Sequence, residues 1–416
     1  MIPRMTTVGT LKNYRYDLNR NNNTLARAMQ TVSTRRNFNS YAEDPALAVR
    51  CFQIRRSYRR TESQLTVNDS LLHKYDVGWS ALENVSTDLY SRSDDASIAS
   101  ILRSVTGTTG PGRLALGQSL CAKAQDIAQV MNGRYGENYV FSGADTLNPP
   151  FSWGPQINPE YDSAGVNGRD DVGRYLDAEG NATDDESSAV KGLYYRGVAV
   201  DSNDYEDLKK LYYFDPKNDD ALKKLRNVDP NYSSEKEAKY IDVGLGHKEV
   251  DGEALSTTVF DSALQGIFYL GGYGTGDLEI EQDNGLPMTV EDVPRNVISI
   301  VNELGQILQR CNKEDGDWAS KEDEQRFNAL VQAYEDSESK FRERWTEMDT
   351  QSGFLKDNSQ LLETTSDSLL QQYTELEEAD PAAAISEYMF AKYCYDAALK
   401  IGNSVLSQSL MDYMNF

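Results

Sequence analysis

A mainly α-helical chain with an inserted β-rich domain is predicted by three observations. Apolar residues recur at alternating steps of three and four at both termini. A second pair of such series lies just inside them. Between them, short runs rich in Tyr, Val and Leu are interrupted by Gly, Asn, Asp and Pro. The long N- and C-terminal helices are expected to pair in coiled-coil or bundle layers, so that the chain leaves and returns along one axis.

The first helix carries Leu11, Tyr14, Leu18, Leu25, Ala28 and Val32 at these steps. The last, from Ile385 to Tyr413, places Leu399, Gly402, Leu406, Leu410 and Tyr413 on one stripe. Asp44-Pro45 predicts the start of a second helix, because Asp caps well and Pro is pre-set for the first helical position. Its stripe runs from Leu47 through Ile54, Leu65, Leu72 and Trp79 to Leu89, and the glycine-rich stretch Thr106–Gly112 is expected to break it. A shorter helix follows, with Leu116, Leu120, Ile127 and Met131 on one side. Towards the other end, Val297–Leu308 leads into a long series from Phe327 to Leu376, and Asp380-Pro381 repeats the cap-and-start signal. In the middle, Gly192–Val200, Leu211–Phe214, Thr257–Phe260 and Gln265–Tyr269 are predicted as short strands and turns.

Three parts follow: a terminal helical assembly domain from 1–40 and 381–416, an inner helical bundle from 41–148 and 292–380, and a β-rich, acidic, solvent-exposed domain at 149–291. A chain of 416 residues has room for about two to four domains.

A formal net charge of −24 disfavours general nucleic-acid binding. The first sixty residues are nonetheless basic, whereas Glu375 to the end is acidic. The basic residues lie between heptad positions, so opposite charges flanking a helical seam explain them better than a nucleic-acid arm. Cys51, Cys121, Cys311 and Cys394 form no Cys-x-x-Cys pair, and neither His73 nor His247 has a second ligand at metal-binding spacing. No stretch is long and apolar enough to span a bilayer, and no apolar signal region with a cleavage site is present.

Gly271–Gly276 looks like a phosphate cradle, but the acidic, alternating Asp277–Glu281 behind it predicts a turn running into a strand. Asp201–Asp207 is the best calcium candidate. It lacks the central Gly and the terminal Glu of a calcium loop, and a solvated acidic face is expected instead. No catalytic, cofactor or metal site is predicted, and no enzymatic activity.

Four stretches resemble the flagellin family and, within it, the hook–filament junction proteins (the hook-associated protein 3 class). Thr31–Ser40 is similar to the family's Ile-Ser-Thr-Gly-Lys-Arg-Ile-Asn-Ser segment, and Tyr41–Pro45 to the Asp-Asp-Pro step before its long helix. Asn132–Tyr135, Tyr139–Gly143 and Pro149–Phe151 resemble the exit from the family's N-terminal core, with Gly136-Glu137-Asn138 as a departure. Leu376–Asp380, Tyr395–Leu399 and Ser409–Tyr413 resemble its closing helix, the last in the form typical of junction proteins. The arms that carry the likeness cover roughly the first 150 and last 120 residues.

The resemblance implies a flagellin-like structural component of the bacterial flagellum, extracellular and exported through the type III channel without a cleaved signal peptide. It implies as partners copies of the chain itself in a ring or tube, the other junction protein on the hook side, flagellin or the filament cap distally, and an export chaperone. No cofactor, nucleic acid or membrane insertion is implied. The assembly interface is expected at Leu11, Tyr14, Leu18, Leu25, Val32, Leu399, Leu406, Leu410 and Tyr413. Alternatives are flagellin itself, an intracellular coiled-coil scaffold or nucleic-acid binder, and a hydrolase using acids of the middle domain.

Overall fold

The computed structural model describes residues 7–38, 40, 42–105, 108, 111–161, 173–233, 236–246, 248–250, 253–254, 258–281, 287–312 and 317–414. Helices dominate, with small antiparallel sheets inserted between them. Two compact units result: unit 1, Met1–Leu65 with Gln360–Phe416, and unit 2, Thr66–Ser359.

Unit 1 holds α1 (Thr7–Thr34), α10 (Pro381–Met414) and parts of two long helices, α2 (Pro45–Tyr90) and α9 (Lys321–Glu377). Both aspartate–proline starts are capped as their chemistry requires. Asp44 Oδ1 accepts from Leu47 N at 2.9 Å, and Asp380 Oδ1 from Ala382 N at 2.9 Å. Among the described residues no helix is long and apolar enough to cross a membrane.

In unit 2 the remainders of α2 and α9 run antiparallel. The ring pairs Tyr90–Tyr334, Tyr90–Phe341 and Trp79–Trp345 lie 5.4–5.8 Å apart. Asn68 Nδ2 donates to Leu355 O at 2.8 Å, while Asn358 Nδ2 donates to Asn68 Oδ1 at 2.9 Å and Val243 O at 2.8 Å. Such buried amides fix register, since a slip would leave them unpaired. Helix α2 ends at Tyr90, well before the expected break at Thr106. The polar run Ser91–Asp95 stops it, and Ser97 Oγ donates to Ser91 O and Asp94 O. Serine and aspartate side chains compete for backbone groups in this way and so disfavour helix interiors. A short α3 (Ile98–Val105) then precedes α4 (Pro111–Val130).

The core of unit 2 is built where α4 meets α8 (Val297–Arg310), a helix buried over most of its circumference. Gly117 and Gly305 allow this approach. A Cβ on Gly305 would lie 2.7 Å from Gly117 O, and one on Gly117 would lie 2.7 Å from Gly305 O. Backbone cannot yield as a side-chain tip can, so Gly305→Val should destabilise unit 2 by about 1–3 kcal/mol in chemical denaturation, the usual cost of overpacking. An unchanged midpoint would show that the two helices separate freely.

The exit from α4 is a hairpin, β1 (Arg134–Tyr135) with β2 (Asn138–Tyr139), and the extra Gly136-Glu137 forms its two-residue turn. Gly136 has φ +62°, the conformation required at the first turn position of a type II′ hairpin. Asn132 then clamps Phe151 from both sides. Its Nδ2 donates to Phe151 O at 2.8 Å, and its Oδ1 accepts from Phe151 N at 2.9 Å. Phe151 opens a three-stranded sheet of β3 (Phe151–Pro155), β6 (Lys191–Tyr195) and β7 (Val198–Ala199). Three separate two-residue pairs follow: β4 (Tyr175–Leu176) with β5 (Ala182–Thr183), β8 (Tyr240–Ile241) with β11 (Phe260–Asp261), and β9 (Glu249–Val250) with β10 (Glu253–Ala254).

Two expected strands are helical. Leu211–Phe214 closes α5 (Tyr205–Phe214), whose Leu208, Leu211 and Tyr212 share a buried face at steps of three and four. Gln265–Tyr269 contains α7 (Gly266–Tyr269). Runs this short carry no period that separates strand from helix, and packing decided both. The acidic pair Asp219-Asp220 opens α6 (Asp219–Val228), where carboxylates favour the helix N-terminus and Asn218 supplies the cap. Gly271–Gly276 does form a turn into β12 (Thr275–Glu281), which pairs with β13 (Pro287–Pro294).

Candidate functional site

Within unit 1, α1 and α10 pack along each other in antiparallel sense: Tyr14 lies on Gly402 at one end, and Arg36 pairs with Glu378 at the other. Along α1 the less exposed Tyr14, Leu18, Asn21, Leu25, Ala28 and Val32 follow at steps of four and three, with Gly9 and Thr31 also half-buried. On α10 Ala384, Tyr388, Ala391, Tyr395, Ala398 and Gly402 do the same, with Cys394 and Ala397 half-buried beside them. Each side therefore presents one continuous stripe. A Cβ at Gly402 would run into the phenol ring of Tyr14, so that ring keeps its place only over a residue without one.

Of the residues singled out in the sequence, Tyr14, Leu18, Leu25 and Val32 share this face and are half-buried. Leu399 does not join it. It follows Ala398 by about 100° of helical turn and is 42% exposed. The side chains of Leu11, Leu406, Leu410 and Tyr413 lie outside the described residues. The alanines of the α10 stripe escaped sequence reading because alanine fits any helix face. Their signal is a spacing of seven, at 384, 391 and 398.

The opposite face of α10 carries exposed apolar residues interleaved with exposed Ser386, Asp396 and Lys400. Ile385, Met389 and Tyr393 follow at steps of four and are 45%, 65% and 74% exposed. Phe390 and Ile401, eleven residues and so three turns apart, are 69% and 60% exposed. Clustered exposed apolar side chains mark a contact site. The outer face of α1 is mostly polar and carries exposed Arg15, Arg20 and Arg27, whereas α10 presents exposed Glu387 and Asp396 beside Lys392 and Lys400.

A short lattice ties the inner ends of these helices together. Arg35 adopts φ +57°, the left-handed conformation that ends a helix, and its N–H donates to Thr31 O. Asn37 then covers the C-terminal carbonyls of α9: its N–H donates to Glu377 O at 2.9 Å, and its Nδ2 to Leu376 O and Glu378 O, both at 3.0 Å. Those are carbonyls a helix end leaves without intrahelical partners. Ala379 N returns a bond to Arg35 O at 3.0 Å. The Arg36–Glu377 ion pair at 3.5 Å is solvent-screened and adds little. Two of the segments whose residues resemble the flagellin family, Thr31–Ser40 and Leu376–Asp380, thus meet in this lattice.

Unit 2 provides no counterpart of a catalytic constellation at the residues considered in the sequence. His73 is exposed, with Asp76 3.9 Å away, and His247 lies outside the described residues. All four cysteines are free thiols. Among the described residues, no group of three or more His, Cys, Asp or Glu could hold a metal ion. The Asp201–Asp207 run is not the solvated face expected: Asp201 is buried, and its Oδ1 lacks a hydrogen-bond partner. Burial pushes its carboxyl up to about 7, with Ser299 opposing, Glu303 reinforcing and Arg326 opposing the shift.

No protein-family model matches this chain, and no curated protein matches its sequence. Among solved structures it is similar to a provisionally named flagellar hook-associated protein from Vibrio parahaemolyticus, at 12% sequence identity, covering 81% of this chain and 100% of that one, with a TM-score of 0.41.

Proposed function

We propose that this chain is a structural component of the bacterial flagellum, a hook-associated junction protein that connects hook to filament by helical self-assembly of its terminal helices. The observation that carries this reading is α10, which packs one stripe on α1 and leaves Ile385, Met389, Phe390, Tyr393 and Ile401 exposed on its other side. Packing the outer stripe of α10 against neighbouring copies, in coiled-coil fashion, would bury Met389, Phe390 and Tyr393. Head-to-tail contacts between different surfaces then generate a tube or ring. The basic α1 and the acidic run Glu375–Asp380 that leads into α10 give such contacts a preferred orientation.

On this reading the chain sits outside the cell at the hook end, after type III export with a dedicated chaperone. The other junction protein lies on its hook side, and flagellin or the cap on its distal side. The motifs at both ends support the reading, and its role is mechanical rather than catalytic.

Seeding purified chain with filament fragments tests it. A junction protein adds at the fragment end and stops; extended self-polymerisation would sink the junction reading and make the chain a filament subunit. Antibody labelling of intact appendages should give a thin band at the hook end. Absence from sheared appendages would point instead to a scaffold inside the cell.

A further inference from the structure

Unit 2 contains an open cleft of about 780 Å³ between α5, α6 and the β12–β13 hairpin. Its floor is a closed polar network. Asn203 Nδ2 lies 2.7 Å from Thr275 Oγ1 and 3.1 Å from both Asp292 Oδ1 and Pro159 O, and Thr275 Oγ1 donates to Asp292 Oδ1 at 2.8 Å. Lys224 Nζ donates to Asn203 Oδ1 at 2.9 Å and to Thr275 O at 3.2 Å. An ammonium has three N–H groups, so the third has no protein acceptor among the described residues. Burial lowers the Lys224 pKa, against the pull of Asp292, Asp277 and Asp220.

The walls decide what could enter. Arg295 and Lys223 both bond to Asp220, and Lys224 lies in the field of three carboxylates. Each of these three cations is thus matched by a carboxylate and Glu160 adds a fourth acid to the lining, so an anionic ligand meets no unbalanced positive charge. What remains is a dense set of donors and acceptors, with the Tyr161 and Tyr205 rings lining the same cleft. Hydroxyl groups both donate and accept, and tyrosine presents an apolar face beside a polar tip. The volume lies within the range usual for small-molecule sites.

We propose that this cleft binds a neutral, polyhydroxylated ligand of the saccharide class, with Lys224 donating its third N–H to a ligand hydroxyl and the two tyrosine rings flanking a sugar ring. The inference is independent of the assembly reading, since it uses residues of unit 2 alone.

Saturation-transfer NMR on the full chain tests it, with maltose, cellobiose, lactose and diacetylchitobiose as neutral probes and sialyllactose as the charged one. Transfer to at least one neutral disaccharide is expected, with binding about tenfold weaker in Lys224→Met, as loss of a charge-assisted hydrogen bond implies. Tyr205→Ala should weaken it as well. Because Lys224→Met also removes a bond from Asn203, thermal melts accompany each variant, and the exposed rim substitution Asn227→Ala gives a variant with little risk to folding, expected to reduce transfer. Absence of transfer to all four neutral sugars, transfer to sialyllactose alone, or transfer unchanged in all three variants would overturn the proposal.

Discussion

Replacing Asp201 by asparagine is expected to stabilise unit 2 at neutral and alkaline pH. The Asp201 carboxyl is raised to about 7 in the folded chain, so the fold favours its protonated form. Its contribution is fully present below the unfolded carboxylate range and is lost as pH rises through about 7. Between about pH 4 and 7 the folded chain holds a proton that the unfolded chain has released, which lowers stability by about 1.4 kcal/mol per pH unit and by about 4 kcal/mol in all. Asparagine carries no charge to desolvate, though its amide needs acceptors at a buried site where Asp201 Oδ1 itself has no partner. A net gain of about 1–3 kcal/mol near pH 8, shrinking towards pH 5, is therefore expected from denaturation curves of the two proteins. Parallel curves across that range would mean that Asp201 does not titrate there.

The second large effect concerns the outer face of α10. Tyr393→Asp or Met389→Asp changes a residue 74% or 65% exposed in the chain described here, so helix content and the melting of unit 2 should be unchanged. If that face is covered on assembly, each substitution buries an unpaired carboxylate, which costs several kcal/mol. Incorporation at the hook tip should then fall by at least about a hundredfold. Leu406→Asp and Leu410→Asp are expected to block incorporation in the same way. Normal incorporation with unchanged motility would refute the role given to the terminal helices.

Much of the helical framework was legible in the sequence because its signals are local and redundant. Asp44-Pro45 and Asp380-Pro381 each combine a cap with a residue suited to the first helical position, and the stripes of α1, α2 and α9 run over many turns. Where the signal was short, tertiary packing decided. Leu211–Phe214 has strand-like composition, yet it lies in α5 because Leu208, three residues earlier, shares its buried face. The end of α2 at Tyr90 coincides with the last member of its stripe, Leu89, but the serines and aspartates that stop it are a weaker break signal than the glycines at 107–112. On α10 the sequence placed Gly402 on the stripe, and Gly402 does face α1; the alanines Ala384, Ala391 and Ala398 beside it were not legible, because they owe their place to smallness, not hydrophobicity. The cleft near Lys224 was not visible at all, because it joins residues from 159 to 295 that no linear pattern links.

The make-up of the α10 seam has a thermodynamic consequence. An alanine methyl offers about 0.8 kcal/mol on burial, while a fully buried Ile, Met or Phe offers about 1.5–3 kcal/mol. The face turned to α1 alternates Ala384, Ala391, Ala398 and Gly402 with Tyr388 and Tyr395, and the outward side holds Ile385, Met389, Phe390 and Ile401. Docking of a neighbour would thus add cohesion to α10 beyond what its own partner helix provides. In an assembling population, the amide-exchange protection of α10 should rise stepwise with each contact made, and would serve as a gauge of how many neighbours a subunit has.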